Sequence, residues 1–314
     1  MADRLDDMVV EHKAPLPTLQ DVDLRLLRIF LAVVRNNGFT AAQTELNIGQ
    51  STISGYMSQL ETRLGLKLCE RGRGGFRLTD AGARIHASVE TLFRHLDSFR
   101  TEVGEVRSEL VGTFNLGMVD AVATMTDCPM WAALRRFVEA APEVNFELKI
   151  DSPQALVRGL LGGRYDAAIL PVFRPPSGLV LAPLDLSNRQ TLYCGKEHPF
   201  FDLAETALTK EMLESVPYVA RKHMEGWPLP GGINYNARAA ANDMECFVAM
   251  ILSGRFIGHL SQDFAQIWVE RGLMKPLLEH KLSYFSKIYF AIRKREPTSA
   301  ARLLIKCLRD AARE

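Results

Sequence analysis

Residues 39–60 read FTAAQTELNIGQSTISGYMSQL, and this stretch determines how the amino-terminal part of the chain folds. Asn47-Ile48-Gly49 is a tight break between two segments of helical spacing. Before the break, Thr40 to Gln43 forms a T-x-x-Q pattern, which predicts a capping box for a short helix through Leu46. After the break, Gln50 to Leu64 carries its apolar residues on one face. The stretch therefore predicts two helices joined by a short turn, a helix-turn-helix.

A further helix is predicted before this pair. Asp21 or Asp23 can cap its start, and Gly38 after Asn36-Asn37 ends it. Its apolar residues recur at helical spacing, so we expect them to pack against the other two helices. They are Leu26, Leu27, Phe30 and Val33 or Val34.

The third helix has a polar face opposite its apolar one. Short hydroxyl and amide side chains near its start can approach base edges and phosphates in a major groove. We therefore predict that these helices bind double-stranded DNA. The candidate DNA-contacting residues on them are Thr40, Gln50, Ser51, Thr52 and Ser54.

A basic hairpin, or wing, is predicted after the third helix. Leu66 to Leu68 and Phe76 to Leu78 can pair as short strands across a glycine-rich loop. Arg71, Arg73 and Arg77 would then face solvent and reach phosphate or the minor groove. The alternative is a solvated hairpin whose charges serve solubility. The hairpin directly follows a helix-turn-helix, and this placement favours the interpretation that it contacts DNA.

Charge is distributed unevenly along the chain. The 38 basic and 37 acidic residues give a formal net charge of only +1. Residues 24–77, however, hold eight basic and three acidic residues, a net charge of +5 that leaves −4 for the remainder. This asymmetry is expected of a nucleic-acid-binding module attached to a regulatory or assembly domain.

The composition excludes several classes of protein. With 314 residues, of which 47% are hydrophobic, the chain can form about two domains and is not disordered. The best apolar run, residues 24–34, is interrupted by Arg25 and Arg28, so none reaches the ~18 residues of a membrane span. Residues 1–20 are expected to form an extension without signal-peptide character, which predicts a cytoplasmic location. The five widely spaced cysteines predict reduced thiols.

A long amphipathic helix is expected over residues 83–110. Its apolar seam is narrow, and a helix of this length with such a seam usually pairs with a second one. The segment therefore predicts a linker and dimerisation helix. The seam consists of Ile85, Val89, Leu92, Phe93, Leu96, Phe99 and Val103.

From Val111 onward, short apolar strands alternate with helical segments. This pattern predicts an α/β domain with mainly parallel sheets. The predicted strands cover residues 113–119, 145–150, 167–170, 190–194, 218–220, 256–260 and 288–292, and the predicted helices cover 129–140, 154–161 and 244–252.

Residues 24–82 resemble the winged helix-turn-helix of LysR-type transcriptional regulators, because many spaced positions match in order. Later landmarks, among them His198-Pro199 and Gly254-x-x-x-Gly258, resemble the effector domain of the same family. The amino-terminal matches are Leu27-x-x-Phe30, Phe39-x-Ala41-Ala42, Leu46, Gln50-Ser51-x-Ile53-Ser54, Leu60-Glu61-x-x-Leu64-Gly65-x-x-Leu68, Arg71 and Leu78-Thr79-x-Ala81-Gly82.

The resemblance implies a transcriptional regulator that is not an enzyme, needs no cofactor and responds to a small-molecule effector. It also implies a homotetramer, built as a dimer of dimers, on an interrupted inverted-repeat operator. RNA polymerase is a further candidate partner, and no membrane contact is expected. The implied organisation is a winged helix-turn-helix (21–82), a linker helix (83–110) and a periplasmic-binding-protein-like effector domain (111–314), with subdomain I over about 111–185 and 286–314 and subdomain II over about 186–285.

In such a domain the effector lies in a cleft between the two subdomains, and residues that follow strand ends line it. The two crossings between subdomains are expected near residues 183–189 and 282–287. For each candidate the alternative is a surface loop position or a helix cap. The candidate effector-binding residues are Asp120, Ala121, Thr124, Ser152, Gln154 and Phe173 from the first subdomain, and Arg221, His223, Trp227, Asn242, Asp243, His259 and Ser261 from the second.

Two departures from the family pattern concern DNA binding. Gly55 and Ser58 stand where the family often has basic residues. DNA affinity is therefore expected to depend more on the wing and on Arg25, Arg28 or Arg35.

A third departure concerns the effector. Asp120 stands where the family commonly has Ser or Thr to bind an effector carboxylate. Because two carboxylates repel each other, either another group binds the anion or the effector carries an amine, hydroxyls or no charge.

Other functions are less well supported. The sequence contains no GxSxG, Walker A or HExxH motif, so an enzyme is not indicated. A solute-binding protein fits the body, but the basic helix-turn-helix argues against it. A cysteine redox sensor on the same scaffold stays open as an alternative, and retained response in Cys194→Ser and Cys246→Ser variants would remove it.

Overall fold

A computed structural model describes residues 18, 20–70, 75–107, 109–125, 130–184, 186, 188–221, 229–294 and 297–312. The chain divides into two compact units, an amino-terminal unit up to Leu96 and a carboxy-terminal unit from Asp97. None of the helices in these described ranges is both long and apolar enough to cross a bilayer.

The amino-terminal unit packs helices around one apolar core. The core is built from the inward faces of its helices, with Phe30, Ile53 and Met57 fully buried. Its elements are α1 (Asp21–Arg35), α2 (Phe39–Leu46), α3 (Gln50–Leu64), β1 (Cys69–Glu70), β2 (Arg77–Leu78) and the first part of α4 (Asp80–Val106).

The predicted capping box of α2 is wrong. The helix begins one residue before Thr40, at Phe39, because Gly38 takes up the preceding turn with a φ of 149°, a value in the region that favours glycine. Gln43 instead accepts a hydrogen bond from the backbone N–H of Gln50 at 3.2 Å. This hydrogen bond between Gln43 and Gln50 therefore connects α2 to the start of α3.

The first wing strand lies later than the sequence predicts, whereas the second lies within the predicted Phe76 to Leu78. Cys69 pairs with Leu78 and Glu70 with Arg77 in an antiparallel ladder. The predicted strand Leu66 to Leu68 is displaced because the Glu61 carboxylate accepts the N–H of Leu68 at 2.9 Å. That donor is then lost to strand pairing.

Helix α4 begins at Asp80, three residues earlier than predicted, and ends at Val106. The Thr79 hydroxyl accepts the N–H of Gly82 at 2.9 Å and so caps the first turn. A side chain at Gly82 would collide with the carbonyl oxygen of Leu68, so a glycine is needed there.

The carboxy-terminal unit contains two sheets, each of which forms one lobe. The lobe I sheet has the order β4-β3-β5-β13-β6, and the lobe II sheet has the order β11-β7-β10-β8-β9, with β12 also paired to β7. The strands are β3 (Gly112–Met118), β4 (Val144–Ile150), β5 (Ala167–Pro171), β6 (Leu179–Leu184), β7 (Arg189–Gly195), β8 (Pro217–Arg221), β9 (Asn236–Ala241), β10 (Ile257–Ser261), β11 (Met274–Pro276), β12 (Tyr284–Phe285) and β13 (Ile288–Arg293).

Helices cover the faces of both sheets. Short 3-10 turns lie at Val122–Thr124, Glu205–Ala207 and Pro230–Gly232. The helices are α5 (Met130–Ala140), α6 (Pro153–Leu161), α7 (Lys210–Ser215), α8 (Met244–Leu252), α9 (Gln262–Glu270), α10 (Glu279–Leu282) and α11 (Ser299–Ala311).

The expectation of mainly parallel sheets is wrong, because both sheets are mixed. In lobe I, β3 runs parallel to β4 and β5, whereas β13 is antiparallel to β5 and β6. In lobe II, β8 runs parallel to β9 and β10, whereas β7 is antiparallel to its partners. The antiparallel strands flank the points where the chain passes between lobes, after Leu184 and after Phe285. The chain enters lobe II at the first passage and comes back to lobe I at the second. The alternation of strands and helices along the sequence does not reveal these passages, so it does not predict the antiparallel strands beside them.

Candidate DNA face and effector cleft

The start of α3 presents the predicted polar face. Gln50, Ser51 and Thr52 are exposed, whereas Ser54 is half-buried, and Ile53 is fully buried on the opposite side. Thr40 is exposed on α2. These consecutive polar groups at a helix start are accessible to a groove of DNA.

Two buried carboxylates hold α3 in place. Asp23 of α1 binds the Arg63 guanidinium through both oxygens, with Nη2 at 2.7 Å from Oδ2. Glu61 accepts the N–H groups of Leu68 and Cys69 at 2.9 and 3.3 Å and the Lys67 ammonium at 2.5 Å. Burial opposes the ionisation of Glu61, but these hydrogen bonds outweigh it and hold its pKa below the ordinary value. Helix α3 is therefore anchored by charge as well as by its core.

The wing charges are partly neutralised within the protein. Arg77 is exposed and binds Glu70 with Nη2 at 2.6 Å from Oε2. Arg71 and Arg73 lie outside the described residues. Arg77 therefore has an acidic neighbour that competes with phosphate.

Three further arginines of the amino-terminal unit, which the sequence predicts to contribute to DNA affinity, also contact residues of that unit. Arg35 pairs with Glu45 at 3.0 Å, and Arg25 lies over the Tyr56 ring at 5.1 Å. Arg28 lies over the Phe93 ring at 5.3 Å. These contacts orient the three side chains.

A cleft of about 300 Å³ lies between the lobes of the carboxy-terminal unit. It includes five of the predicted effector-binding residues, which come from the ends of β3, β4, β8 and β9. They are Asp120, Ser152, Arg221, Asn242 and Asp243.

Two of these five also cap helices, as the alternative interpretation expected. The Ser152 hydroxyl accepts the N–H of Ala155 at the start of α6, at 3.4 Å. Asp243 accepts the N–H of Cys246 at the start of α8, at 2.8 Å. Both side chains therefore line the cleft with part of their hydrogen-bonding capacity already used.

The remaining candidates within the described residues do not line this cleft. Thr124, Gln154 and Phe173 are exposed, and the Thr124 hydroxyl donates to the carbonyl of Ala121 at 2.8 Å. Ser261 is buried at the end of β10. His223 and Trp227 lie outside the described residues.

His259 lies at a second cavity, of about 460 Å³, which lobe II residues including Tyr218 and Tyr284 also line. Its Nδ1 contacts the Tyr218 hydroxyl at 3.1 Å and its Nε2 contacts the Leu282 carbonyl at 3.2 Å. Complete burial lowers the pKa of His259 to about 4. The imidazole is therefore neutral and part of an aromatic cluster.

Sequence reasoning missed five polar residues of the cleft: Asp151, which directly precedes the predicted Ser152, and four residues near the passages between the lobes. Asn188, Gln190, Tyr284 and Ser286 lie on or beside the two passages between the lobes, and all four line the cleft. The signal that could have found them was available, because these passages were predicted near residues 183–189 and 282–287. Segments that join two lobes also form the base of the cleft between them.

Asp120 connects the two lobes directly. Its carboxylate accepts the backbone N–H of Met244, the first residue of α8 in lobe II. The next residue, Ala121, has a φ of 59°, a left-handed conformation that side-chain-bearing residues seldom adopt. Burial raises the pKa of Asp120, while the Met244 bond and the Arg221 charge act in the opposite direction.

Arg221, at the end of β8, is held by neighbours that carry no negative charge. Its Nη2 donates to Gln190 Oε1 at 3.4 Å and lies 2.7 Å from the Met244 sulfur. The guanidinium stacks over the Phe247 ring at 5.2 Å. Gln190 in turn donates to Asn188 Oδ1 at 2.6 Å, so a chain of amides positions the guanidinium.

The described cysteines have properties that disfavour thiolate chemistry. Burial raises the pKa of Cys194 to about 12 and also raises that of Cys307, and Asp243 raises the pKa of the exposed Cys246. Cys69 is buried, and Cys128 lies outside the described residues. Within the ranges given above, no cluster of His, Cys, Asp or Glu could hold a metal ion.

Comparison with known proteins covers both units. Residues 24–83 match the bacterial regulatory helix-turn-helix protein, lysR family, and residues 107–313 match the LysR substrate binding domain. The chain is 32% identical over 292 residues to the HTH-type transcriptional activator BauR of Pseudomonas aeruginosa, covering 91% of this chain and 94% of BauR. It is 28% identical over 158 residues to a probable hydrogen peroxide-inducible genes activator of Mycobacterium xenopi, covering 50% of this chain and 82% of that protein.

Solved structures share the fold. Full-length CbnR in complex with its target DNA has a TM-score of 0.64 at 17% identity, covering 93% of this chain and all of CbnR (100%). A probable transcriptional regulator from Pseudomonas aeruginosa has a TM-score of 0.65 at 20% identity, covering 94% of this chain and 99% of that one. With both domains matched and the fold shared along the chain, this protein belongs to the LysR family of transcriptional regulators, with a helix-turn-helix DNA-binding domain and an effector-binding domain.

Proposed function

We propose that the start of α3 reads the operator and that a small-molecule effector binds in the cleft between lobes I and II. The DNA-contacting residues are then Gln50, Ser51 and Thr52, supported by Thr40 and by the wing. The effector-binding residues are those that line the cleft from both lobes, among them Asp120 and Arg221.

The observation that carries this proposal is the bond from Met244 to Asp120. It joins the end of β3 in lobe I to the start of α8 in lobe II, across the cleft. A ligand that contacts these groups touches both lobes at once, so its affinity differs between lobe arrangements. Such a difference in affinity is what a ligand needs to shift a conformational equilibrium.

The test uses the full chain and DNA from upstream of its own gene. Fluorescence anisotropy measures operator affinity with and without a metabolite library, while thermal shift measures ligand binding in the same samples. A ligand at 100 times its dissociation constant stabilises the native state by ~2.7 kcal/mol. Absence of sequence-specific DNA binding would overturn the proposed regulator, and ligands without any effect on operator affinity or footprint would overturn control through the cleft.

We also propose that the second half of α4 pairs the protomers of a homodimer, and that dimers associate into a tetramer on an interrupted inverted repeat. Phe99, Val103 and Val106 are 63%, 43% and 87% exposed and fall on one helical face. Leu92, by contrast, packs against the amino-terminal core. Charged substitutions at Phe99 and Val103 should therefore yield smaller species in light scattering, whereas a change at Leu92 tests folding.

The proposal that the protein binds an operator leads to further inferences about its location and its partners. The protein acts in the cytoplasm, where bacterial operators are, and RNA polymerase is the partner through which an activator would work. It performs no catalysis. The redox alternative is not favoured, because the raised thiol pKa values of Cys194 and Cys246 oppose reaction with peroxide; operator binding that responds to peroxide would restore it.

A further inference from the structure

Two opposite charges face the cleft from different lobes. Asp120 follows β3 in lobe I, and Arg221 ends β8 in lobe II. Neither side chain forms an ion pair with the other, or with any residue in the described part of the chain. Both charges are half-buried, so water screens them incompletely.

Arg221 is positioned to receive an anion. Its guanidinium is held by Gln190 and stacked over Phe247, and its Nε is buried and has no hydrogen-bond partner among the residues described. A buried donor without an acceptor is costly, and a ligand carboxylate would satisfy it. Arg221 is therefore the group of this cleft that can bind a ligand anion.

Asp120 differs from the other carboxylates of the cleft. Asp151 accepts the Tyr165 hydroxyl at 3.0 Å and pairs with Arg164 at 3.5 Å. Asp243 caps α8. The Asp120 carboxylate accepts a backbone N–H and has no cationic partner in the described chain, so a ligand ammonium group would neutralise it.

We propose that the effector is a small zwitterion whose ammonium group binds Asp120 of lobe I and whose carboxylate binds Arg221 of lobe II. This inference rests on the proposed function, in which the cleft is the effector site. A simple carboxylate would leave Asp120 unpaired beside a second negative charge, and a simple amine would leave Arg221 unpaired. The cleft volume of about 300 Å³ lies at the lower end of the range for ligand sites, which limits the ligand to a small molecule.

Isothermal calorimetry on the full-length protein tests the proposal with a ladder of straight-chain amino acids, from glycine to 6-aminohexanoate. Each amino acid is compared with the fatty acid that lacks its ammonium group and with the alkylamine that lacks its carboxylate. One chain length, set by the separation of the two charges, should bind at least ~10-fold more tightly than both of its matched ligands.

Variants test which residue causes each of the two preferences, the one over the fatty acid and the one over the alkylamine. Asp120→Asn should remove the preference for the amino acid over the fatty acid, and Arg221→Gln should remove the preference over the alkylamine. Glu147, which is half-buried, and the exposed Arg255 lie outside the cleft, so Glu147→Gln and Arg255→Gln should keep both preferences. Circular dichroism verifies that each variant is folded, and the comparison of ligands on the parent protein stands even where a variant fails to fold.

Three results would overturn the zwitterion. They are a fatty acid that binds as tightly as its amino acid, an alkylamine that does so, and an absence of binding across the whole ladder. Operator affinity measured on the same preparation separates the two levels of the argument. Retained operator binding with any of these three results rejects the ligand class alone, whereas lost operator binding rejects the proposed regulator.

Discussion

In the amino-terminal unit, the candidate DNA contacts Gln50, Ser51 and Thr52 are consecutive residues of one helix, whereas in the carboxy-terminal unit Asp120, Arg221 and Asp243 come from three separate segments. The candidate DNA face exists as soon as α3 forms and packs. The effector cleft exists only when two lobes, each with its own sheet, have come together. Substitutions in the first site should therefore subtract single contacts, and substitutions in the second should also alter how the lobes are joined.

The largest effect is expected at the cleft, from Asp120→Ala. It removes a half-buried charge that bonds to the other lobe and, on our proposal, to the effector. Losing one partner of such a hydrogen-bonded charge pair commonly costs ~2–5 kcal/mol, or ~30-fold or more in affinity. Calorimetry with the effector measures it, and Asp120→Ser should not restore binding of an effector that carries an ammonium group. Equal affinity in the parent and Asp120→Ala would reduce Asp120 to a cap of α8.

The next effect concerns the anchoring of the DNA face. Glu61→Ala leaves the buried N–H groups of Leu68 and Cys69 without their acceptor, which should destabilise the amino-terminal unit by ~2–3 kcal/mol. Thermal unfolding of the full chain, followed through loss of operator binding, measures the change. An unchanged transition would contradict the anchoring role.

The same residue predicts a pH dependence. Because the folded-state pKa of Glu61 is lowered, its contribution to stability is present above its ordinary pKa of about 4.3 and is lost as the pH falls through the lower folded value. Glu61→Gln has no charge to lose, so its stability should change less between pH 5 and pH 3, about the range in which such carboxylates titrate. Parallel acid titrations of the two proteins would reveal equal slopes if Glu61 were not involved.

A smaller effect is expected for single contacts on the DNA face. Gln50→Ala or Ser51→Ala should relax base preference at one position by ~1–3 kcal/mol. Gln59→Ala, exposed farther along α3, is the matched control and should leave the preference unchanged. Footprinting on a randomised half-site measures the preference, and a shift in Gln59→Ala alone would move the reading face along the helix.

The wing should contribute less through Arg77 than its charge alone suggests. The sequence predicts that Arg73→Ala weakens binding to all DNA alike and lowers the salt slope by roughly one unit. Arg77→Ala should lower it by less, because Glu70 already pairs with this arginine. Glu70→Gln should then raise the slope, and a decrease in that variant would show that the ion pair does not compete with phosphate.

The smallest effect is expected at Gly55. A side chain there meets no neighbouring atom, and a glycine inside a helix costs roughly 1 kcal/mol relative to alanine. Gly55→Ala should therefore stabilise α3 by up to that amount, as measured by urea unfolding. Gly55→Lys should in addition strengthen DNA binding and its salt dependence, and unchanged affinity would place this position away from the phosphates.

The same contrast explains which elements could be predicted. Helices α1, α3 and α8 could be predicted because the features that specify them, such as the spacing of apolar residues, are local in the sequence. The first wing strand lies later than predicted because Glu61, several residues earlier, accepts the N–H of Leu68. The mixed sheets were missed because strand direction depends on where the chain crosses between lobes, which no local spacing encodes.

The sequence by itself determined the helix-turn-helix, the polar start of α3 and the presence of a carboxylate at position 120, since each is a matter of residue type and near-neighbour spacing. Only the tertiary structure decided what Asp120 contacts, because its partner Met244 is 124 positions away in the chain. It also decided that His259 is buried in an aromatic cluster and that the buried Nε of Arg221 has no hydrogen-bond partner among the described residues. Such properties depend on groups that strand order and lobe packing bring together from distant segments, and burial then sets the free energy of their charges.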